Sequence, residues 1–297
     1  MENLQPFLKW AGGKRQILPQ LRPYFPKQFK TYYEPFVGAG AVLFDLKPKN
    51  AVINDTNTEL INLYKVVRDE KKLELLLNDL ETHKNDEEYF YQIRAMDRDD
   101  NYQDLDDWKK ASRFIYLNKT CYNGLYRVNS KGYFNVPFGR YKNPDYLNKD
   151  VLLAVHKFLN ENNINIMNTD FEMAVEDAEP GDFVYFDPPY DPISKTSSFT
   201  SYSKDNFGEE EQIRLRNVFW KLYEKGCYVL LSNSNTEFIK EIYSEIPGVK
   251  IVEVYASRSI NSKAEKRGKI KEVLVVGDGT NKKRQSMEQN IQRIQYS

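Results

Sequence analysis

Long apolar runs are missing from this chain. No segment comes near the ~18–20 uninterrupted apolar residues that a membrane-spanning helix needs, so no such span is expected. Cysteine is scarce. Cys121 and Cys227 lie far apart in sequence without metal-ligand spacing, which speaks against a disulfide framework or a zinc site and fits reduced thiols. The opening residues, Met1-Glu2-Asn3-Leu4-Gln5-Pro6, lack the basic stretch and apolar stretch of a secretory signal, so a cytoplasmic location is expected. Internal repeats and low-complexity tracts are also absent. So is net charge: 43 Lys and Arg balance 43 Asp and Glu, which by itself argues weakly against a nucleic-acid partner.

What is present reverses that last impression. The 297 residues are 40% hydrophobic and 14% aromatic, enough for a sizeable core and unlike a disordered composition. The charge is segregated rather than missing. Residues 69–107 hold 14 acidic and 5 basic side chains, whereas residues 108–142 hold 8 basic and no acidic ones. A phosphate backbone meets a local surface, not a total, so the basic segment is a candidate nucleic-acid contact. A solvated helix face followed by a basic loop is the plainer alternative.

Short apolar runs at 51–54, 164–167, 183–186 and 228–231 read as buried strands. Segments 250–254 and 272–276 read as a closing antiparallel pair. Between the last two central strands, Ile213, Leu215, Val218, Phe219, Leu222 and Tyr223 recur at helical spacing, with Gly226 where a C-terminal cap belongs. Strands alternating with helices predict an open, largely parallel α/β sheet. Residues 58–145 break the rhythm. Leu60, Ile61, Tyr64 and Val67 mark one amphipathic helix, and Ala111, Phe114, Ile115 and Leu117 another. After them, alternating aromatics punctuated by Asn, Gly and Pro predict a β-hairpin near 118–142. The expected organisation is therefore a discontinuous catalytic domain, residues 1–57 and 146–297, with a mainly helical insertion at 58–145 that carries the hairpin. The stretch after Thr280 is polar and reads as loose.

Three motifs carry chemistry. In Glu34-Pro35-Phe36-Val37-Gly38-Ala39-Gly40, two glycines after a short strand let the backbone approach a ligand. Leu43 stands where a dinucleotide fingerprint would have its third glycine, so a plain tight turn remains an alternative. Asp55 ends the next strand, where a carboxylate can accept hydrogen bonds from ribose hydroxyls; it also precedes a helix that it could cap. The most telling motif is Asp187-Pro188-Pro189-Tyr190, directly after the strand Phe183-Val184-Tyr185-Phe186. It combines a carboxylate, a rigid loop whose prolines donate no hydrogen bond, and a ring suited to stacking. Together these make a pocket for the amino group of a flat heteroaromatic ring.

At these residues the chain resembles the class alpha amino-methyltransferases, in particular the DNA adenine methyltransferase family and its relatives in restriction–modification systems. Phe7-Leu8-Lys9-Trp10-Ala11-Gly12-Gly13-Lys14 resembles the family's N-terminal cofactor motif, residues 34–40 its glycine motif and residues 187–190 its catalytic motif. Tyr122 through Arg127, with Phe134-Asn135-Val136-Pro137-Phe138-Gly139, resembles its DNA-recognition element. The motif order agrees, and the likeness runs from about Phe7 to Val276.

The resemblance implies a Rossmann-like S-adenosylmethionine methyltransferase fold with S-adenosyl-L-homocysteine as product. It implies that Asp187, Pro188 and Tyr190 receive the target base. Trp10, Lys14, Phe36, Gly38, Gly40, Asp55, Asp170 and Phe171 would line the cofactor pocket, with Asp187 near its methionine end. On duplex DNA, Tyr122 would enter the base stack and Asn123 approach the base left behind. Leu125 and Pro137 would meet thymine methyls, and Arg127 a guanine. Lys9 would meet a guanine at the opposite end of the site. Those roles imply Gly-Ade-Thy-Cyt as the target. Lys119, Arg140, Lys142 and the basic run 263–271 are candidate phosphate contacts. A restriction endonuclease is a functional partner to consider, and a monomer is the default. No metal is required, and neither cysteine is needed as a nucleophile. Cytosine N4 methyltransferases use the same pocket logic but more often carry Ser in place of the Asp. An RNA methyltransferase fits poorly with an intercalating Tyr122, and a silent DNA-binding regulator fits poorly with an intact motif at 187–190.

Overall fold

The computed structural model describes residues 3–193, 207–257 and 269–281. Seven strands form one sheet: β1 (Tyr32–Glu34), β2 (Asn50–Asn54), β3 (Asn163–Met167), β4 (Phe183–Phe186), β5 (Tyr228–Ser234), β6 (Lys250–Ser257) and β7 (Lys269–Asp278). Their order is β3-β2-β1-β4-β5-β7-β6. The first five pair in parallel, while β7 runs antiparallel between β5 and β6. The 250–254 and 272–276 segments are thus an antiparallel pair as expected, with β7 also paired to β5.

The helices are α1 (Leu18–Leu21), α2 (Ala41–Leu46), α3 (Thr58–Arg68), α4 (Glu70–Thr82), α5 (Glu87–Ala95), α6 (Asp107–Thr120), α7 (Lys149–Glu161), α8 (Glu209–Lys225) and α9 (Glu237–Ser244). Strand periodicity divides the core. Tyr32, Phe183, Tyr185 and Leu230 face the cluster built with α3, α4, α6 and α7. Tyr33, Val184, Phe186, Val229 and Leu231 face the cluster built with α8 and α9. Both faces are covered, as a parallel sheet requires, so the architecture is the mixed α/β, Rossmann-like one. Gly226 ends α8 in the left-handed region at φ 101°, where a side chain would be strained. No helix among the described residues is long and apolar enough to cross a membrane.

Helix α3 shows how sequence becomes packing. Asn57 caps it, its side chain accepting from Leu60 N–H at 3.0 Å. Leu60, Ile61, Leu63, Tyr64, Val66 and Val67 are each at most 1% exposed. Burial of such side chains is worth about 1.5–3 kcal/mol apiece, which fixes α3 against the sheet.

The region after α6 pairs two arms antiparallel, as the expected hairpin does, but without a continuous ladder. Helix α6 continues to Thr120, and the two arms meet at the bridges Cys121↔Phe138 and Val128↔Phe134. They are joined further by Tyr122 N–H donating to the Pro137 carbonyl at 2.8 Å and Asn135 N–H to the Arg127 carbonyl at 3.0 Å. A continuous ladder is interrupted by the turn at Tyr122–Gly124, where Asn123 has φ 57°, and by Pro137, which has no N–H to donate. The alternating aromatics also serve packing: Phe134 and Val136 bury against Phe90, Tyr116 and Leu117. A buried ion pair holds the second arm. Asp97 accepts from Phe134 N–H at 2.7 Å and pairs with Arg113 at 2.8 Å, Arg113 being 2% exposed.

Candidate active site

The order of the sheet reverses between β1 and β4, so the loops after these two strands flank the crevice where open α/β sheets bind ligands. Glu34 and Asp187 end those strands. Lys14 reaches across from the N-terminal segment, with Nζ 2.7 Å from Asp187 Oδ1 and 2.7 Å from the Gly12 carbonyl. The same ammonium lies 4.7 Å from the centre of the Tyr190 ring. Tyr190 Oη donates to Glu272 Oε2 on β7 at 2.9 Å. Asp187, Lys14, Tyr190 and Glu272 therefore form one cluster.

Burial pushes the Asp187 carboxyl up to about 6, with Lys14 pulling it down and Glu272 adding to the rise. Burial also pushes Glu34 well above the usual carboxyl range, and the nearby Asp187 charge reinforces this. Glu34 Oε2 has no hydrogen-bond partner among the described residues.

The 188–191 loop is held rigidly. Pro188 is buried and Pro189 is exposed. The Pro189 carbonyl accepts from Gln212 Nε2 at 3.0 Å, and Gln212 Oε1 in turn accepts from Asn233 Nδ2 at 3.0 Å. Asn233 Oδ1 accepts from Asp191 N–H at 3.1 Å. Among the described residues no hydrogen bond ends on the Pro188 carbonyl, so it can still serve as an acceptor.

Beside this cluster run the loops after β1, β2 and β3. Asn54, 1% exposed, ties them together, donating to the Pro35 and Thr169 carbonyls at 3.0 Å each and accepting from Thr169 N–H at 2.8 Å. Gly38 sits at φ 48°, and a Cβ there would stand 2.8 Å from the Trp10 ring. Gly40, at φ 72°, would set a Cβ 2.8 Å from Tyr64 Oη. Both positions thus need glycine. The carboxylate of Asp55 spans this turn, accepting from Gly38 N–H at 3.1 Å and Asn57 N–H at 3.0 Å. The helix cap is Asn57, not Asp55. Burial raises the Asp55 carboxyl above its ordinary value, and the two N–H groups pull it back.

Phe36 and Phe171 lie 5.4 Å apart, centre to centre. Asp170 is engaged in a way the sequence did not announce: Arg214 forks onto both its oxygens at 3.0 and 2.6 Å. Burial works to raise this carboxyl, but Arg214 and the Glu172 N–H outweigh it, and the group ends below its ordinary value. The same guanidinium lies 4.2 Å over the Phe171 ring.

A second group of candidate residues gathers around the loop after α6. Tyr122 is 48% exposed at its tip, and Lys9, Arg127, Pro137, Arg140 and Lys142 are exposed too. Asn123 and Leu125 are half-buried. Arg127 is steadied by Asn135, with Nε donating to Oδ1 at 2.7 Å. Arg140 turns toward Glu87 at 3.3 Å. Lys119 is half-buried, and burial together with Lys9 and Arg15 nearby lowers its pKa. Of the basic run 263–271, residues 263–268 lie outside the described residues, and Lys271 pairs with Glu253 at 2.9 Å. Burial pushes the Cys121 thiol up to about 12, which leaves it inert.

Trp10 links the two groups, stacking on Tyr126 of the loop at 5.9 Å and on Phe114 at 6.3 Å. Asn54, Gln212, Asn233, Glu272 and Arg214 escaped the sequence reading because no local pattern marks them. Only the fold brings them to the motifs.

The residues present suit S-adenosylmethionine. The crevice offers an unpartnered buried Glu34 oxygen, the Asp55 carboxylate at a tight glycine turn, and the adjacent Phe36 and Phe171 rings. Comparison with known proteins agrees. The family model described as D12 class N6 adenine-specific DNA methyltransferase matches residues 10–260. A type II methyltransferase of Lactococcus lactis subsp. cremoris is 46% identical over 279 residues, covering 93% of this chain and 96% of that protein. A type II methyltransferase of Methanocaldococcus jannaschii is 45% identical over 284 residues, 89% of this chain and 96% of that protein. A DNA adenine methylase of Escherichia coli K12 is 34% identical over 278 residues, with 93% and 96% covered.

Proposed function

The chain belongs to the D12 class N6 adenine-specific DNA methyltransferase family, and from that premise we propose that it methylates the adenine of GATC in duplex DNA after turning the base out of the helix. It is an adenine-specific DNA methyltransferase whose methyl donor is S-adenosylmethionine. The observation that carries the base-flipping part of this reading is the Asp187–Lys14–Tyr190–Glu272 cluster at the point where the sheet order reverses.

An adenine amino nitrogen is a weak nucleophile, because its lone pair is delocalised into the ring. When bound, S-adenosylmethionine supplies an activated methyl group on a sulfonium. Everything else falls to the chain. Unpairing and unstacking the base costs a few kcal/mol, and stacking on Tyr190 returns about 1–3 kcal/mol. Glu272 holds the Tyr190 ring in place through its hydroxyl. Asp187 and the Pro188 carbonyl accept the two N6 hydrogens, which localises the lone pair and aims it. Such positioning can lower a barrier by about 7–11 kcal/mol. Trp10, Lys14, Phe36, Gly38, Gly40, Asp55, Asp170 and Phe171 hold the donor, Lys14 doing so while paired with Asp187.

The target assignment rests on Lys9, Tyr122, Asn123, Leu125, Arg127 and Pro137, which lie around one loop, with Asn123 and Leu125 half-buried and the other four exposed. Residues 1–57 and 146–297 would supply catalysis, and residues 58–145 recognition. The designation of the two relatives at 45–46% identity as type II methyltransferases supports a functional place beside a restriction endonuclease. Sequencing DNA methylated by the purified enzyme should show N6-methyladenine within GATC. Methylation centred on another sequence would overturn the assignment.

Reading and holding are separable. Arg127 can donate two hydrogen bonds to guanine O6 and N7, a contact worth about 1–3 kcal/mol against a wrong base. Arg127→Ala should therefore relax preference at one guanine position. Lys142→Ala, a phosphate contact, should slow all duplexes alike and reduce the salt dependence by about one counterion. Methylation rates on the intended site and each single-base variant, at matched salt, decide between them. A uniform loss in Arg127→Ala would make it a backbone contact.

A further inference from the structure

Lys9 and the loop after α6 approach the proposed DNA face from opposite ends of the sequence, and one buried side chain joins them. Asn118, in the last turn of α6, is 1% exposed. Its Oδ1 accepts from Lys9 N–H at 2.9 Å, and its Nδ2 donates to the Lys9 carbonyl at 2.7 Å and to the Gly124 carbonyl at 3.2 Å. The amide thus behaves like one residue of a β-ladder toward Lys9, while also gripping the tip of the loop.

The contact continues along the lysine. Gly124, at φ 62°, lies so close to it that a Cβ would stand 2.4 Å from Lys9 Cδ and 2.5 Å from Lys9 Cβ. Further out, Lys9 Nζ lies 4.1 Å from the centre of the Tyr141 ring, beyond the loop's second arm. Lys9 is therefore braced at its backbone, its stem and its head by the segment proposed to read DNA.

We infer that Asn118 is a positioning residue for sequence recognition, locking Lys9 to the loop tip so that both ends of the target are read in one register. This rests on the proposed base-reading roles of Lys9 and the loop. Asn118 itself is buried and touches no base. Its influence runs through the position of Lys9, because a hydrogen bond to a base edge tolerates only a few tenths of an ångström.

The test compares the full-length wild type with Lys9→Ala, Asn118→Ala, the Lys9→Ala/Asn118→Ala double variant and Gly124→Ala. Each is assayed on duplexes carrying the methylated site and every single-base change of it. Lys9→Ala should flatten the preference at one outer position by about tenfold, the scale of one base contact. Asn118→Ala should flatten that same position, and the double variant should be no worse there than Lys9→Ala. The preference lost in Arg127→Ala should stay intact in Asn118→Ala. Gly124→Ala, which displaces Lys9 without removing the amide, should reproduce the effect and serves if Asn118→Ala folds poorly. If Asn118→Ala and Gly124→Ala slow every duplex by one common factor, the amide is merely structural and the inference is wrong. If Lys9→Ala flattens no position, Lys9 reads no base, and the reading beneath the inference fails with it.

Discussion

Asp187→Ala should lower methyl transfer by at least about 100-fold, the usual scale for removing a preorganised group that faces developing charge. Affinity for duplex DNA should change little, because the carboxylate lies in the crevice after β4 and not on the exposed loop after α6. The loss has two physical sources. The substrate amino group loses an acceptor that localises its lone pair, and Lys14, only 4% exposed, loses its ion-pair partner. Asp187→Asn keeps an acceptor oxygen and should retain more activity than Asp187→Ala. Single-turnover transfer of labelled methyl groups, with DNA affinity measured in parallel, gives the answer. Near-normal turnover in Asp187→Ala would remove the 187–190 motif from the mechanism.

The same residue sets a pH signature. Its carboxyl is pushed from the ordinary 3.8 up to about 6, so activity should fall as the pH drops through about 6 and the acceptor becomes protonated. The stability effect has the opposite sign. A carboxyl whose folded pKa lies above its unfolded value stabilises most below the unfolded value, and that contribution is lost as pH rises through about 6. At about 1.4 kcal/mol per pKa unit, the wild type should lose roughly 2 kcal/mol relative to Asp187→Asn between pH 4 and pH 7. The site holds its carboxylate charged at neutral pH against the preference of the fold.

Elements built from contiguous residues were legible in the sequence. Phe183–Phe186 reads as a buried strand because all four residues are apolar, and its loop chemistry follows at once. Helix α8 was marked by spacing and by Gly226. Alternation alone marks the antiparallel arms after α6 but not how continuous their ladder is. Tyr126, Phe134, Val136 and Phe138 alternate like a ladder and pack on α5 and α6, while Phe134 and Phe138 take part in isolated antiparallel bridges. Leu73, Leu76, Leu77 and Leu80 carry the helical period of α4, within a segment whose acidic composition by itself marks no helix. Polar partners set by the fold were beyond reach. Glu272 stands 82 residues after Tyr190, and Arg214 stands 44 after Asp170; no spacing rule joins either pair. The motifs name the groups that touch ligands, whereas the groups that aim them come from other strands and helices.

Asp55 shows how structure sharpens such a motif into a measurement. From sequence it could be a ribose acceptor or the cap of α3, and the cap is now seen to be Asn57. The two residues therefore form a matched pair. Asp55→Ala should weaken S-adenosylmethionine binding by about 1.5–3 kcal/mol, the worth of hydrogen bonds to a charged group. It should also cost some stability, since Gly38 N–H and Asn57 N–H both lose their acceptor. Asn57→Ala should cost about 1 kcal/mol of stability, as cap removal does, with cofactor affinity nearly unchanged. Titration calorimetry with S-adenosyl-L-homocysteine and denaturant unfolding of both variants separate the two effects. If Asp55→Ala and Asn57→Ala lose equal stability and keep equal affinity, Asp55 serves only to shape the turn. A loss of affinity confined to Asp55→Ala would mean that its remaining lone pairs, directed away from the two N–H groups, are the ones that hold the ligand.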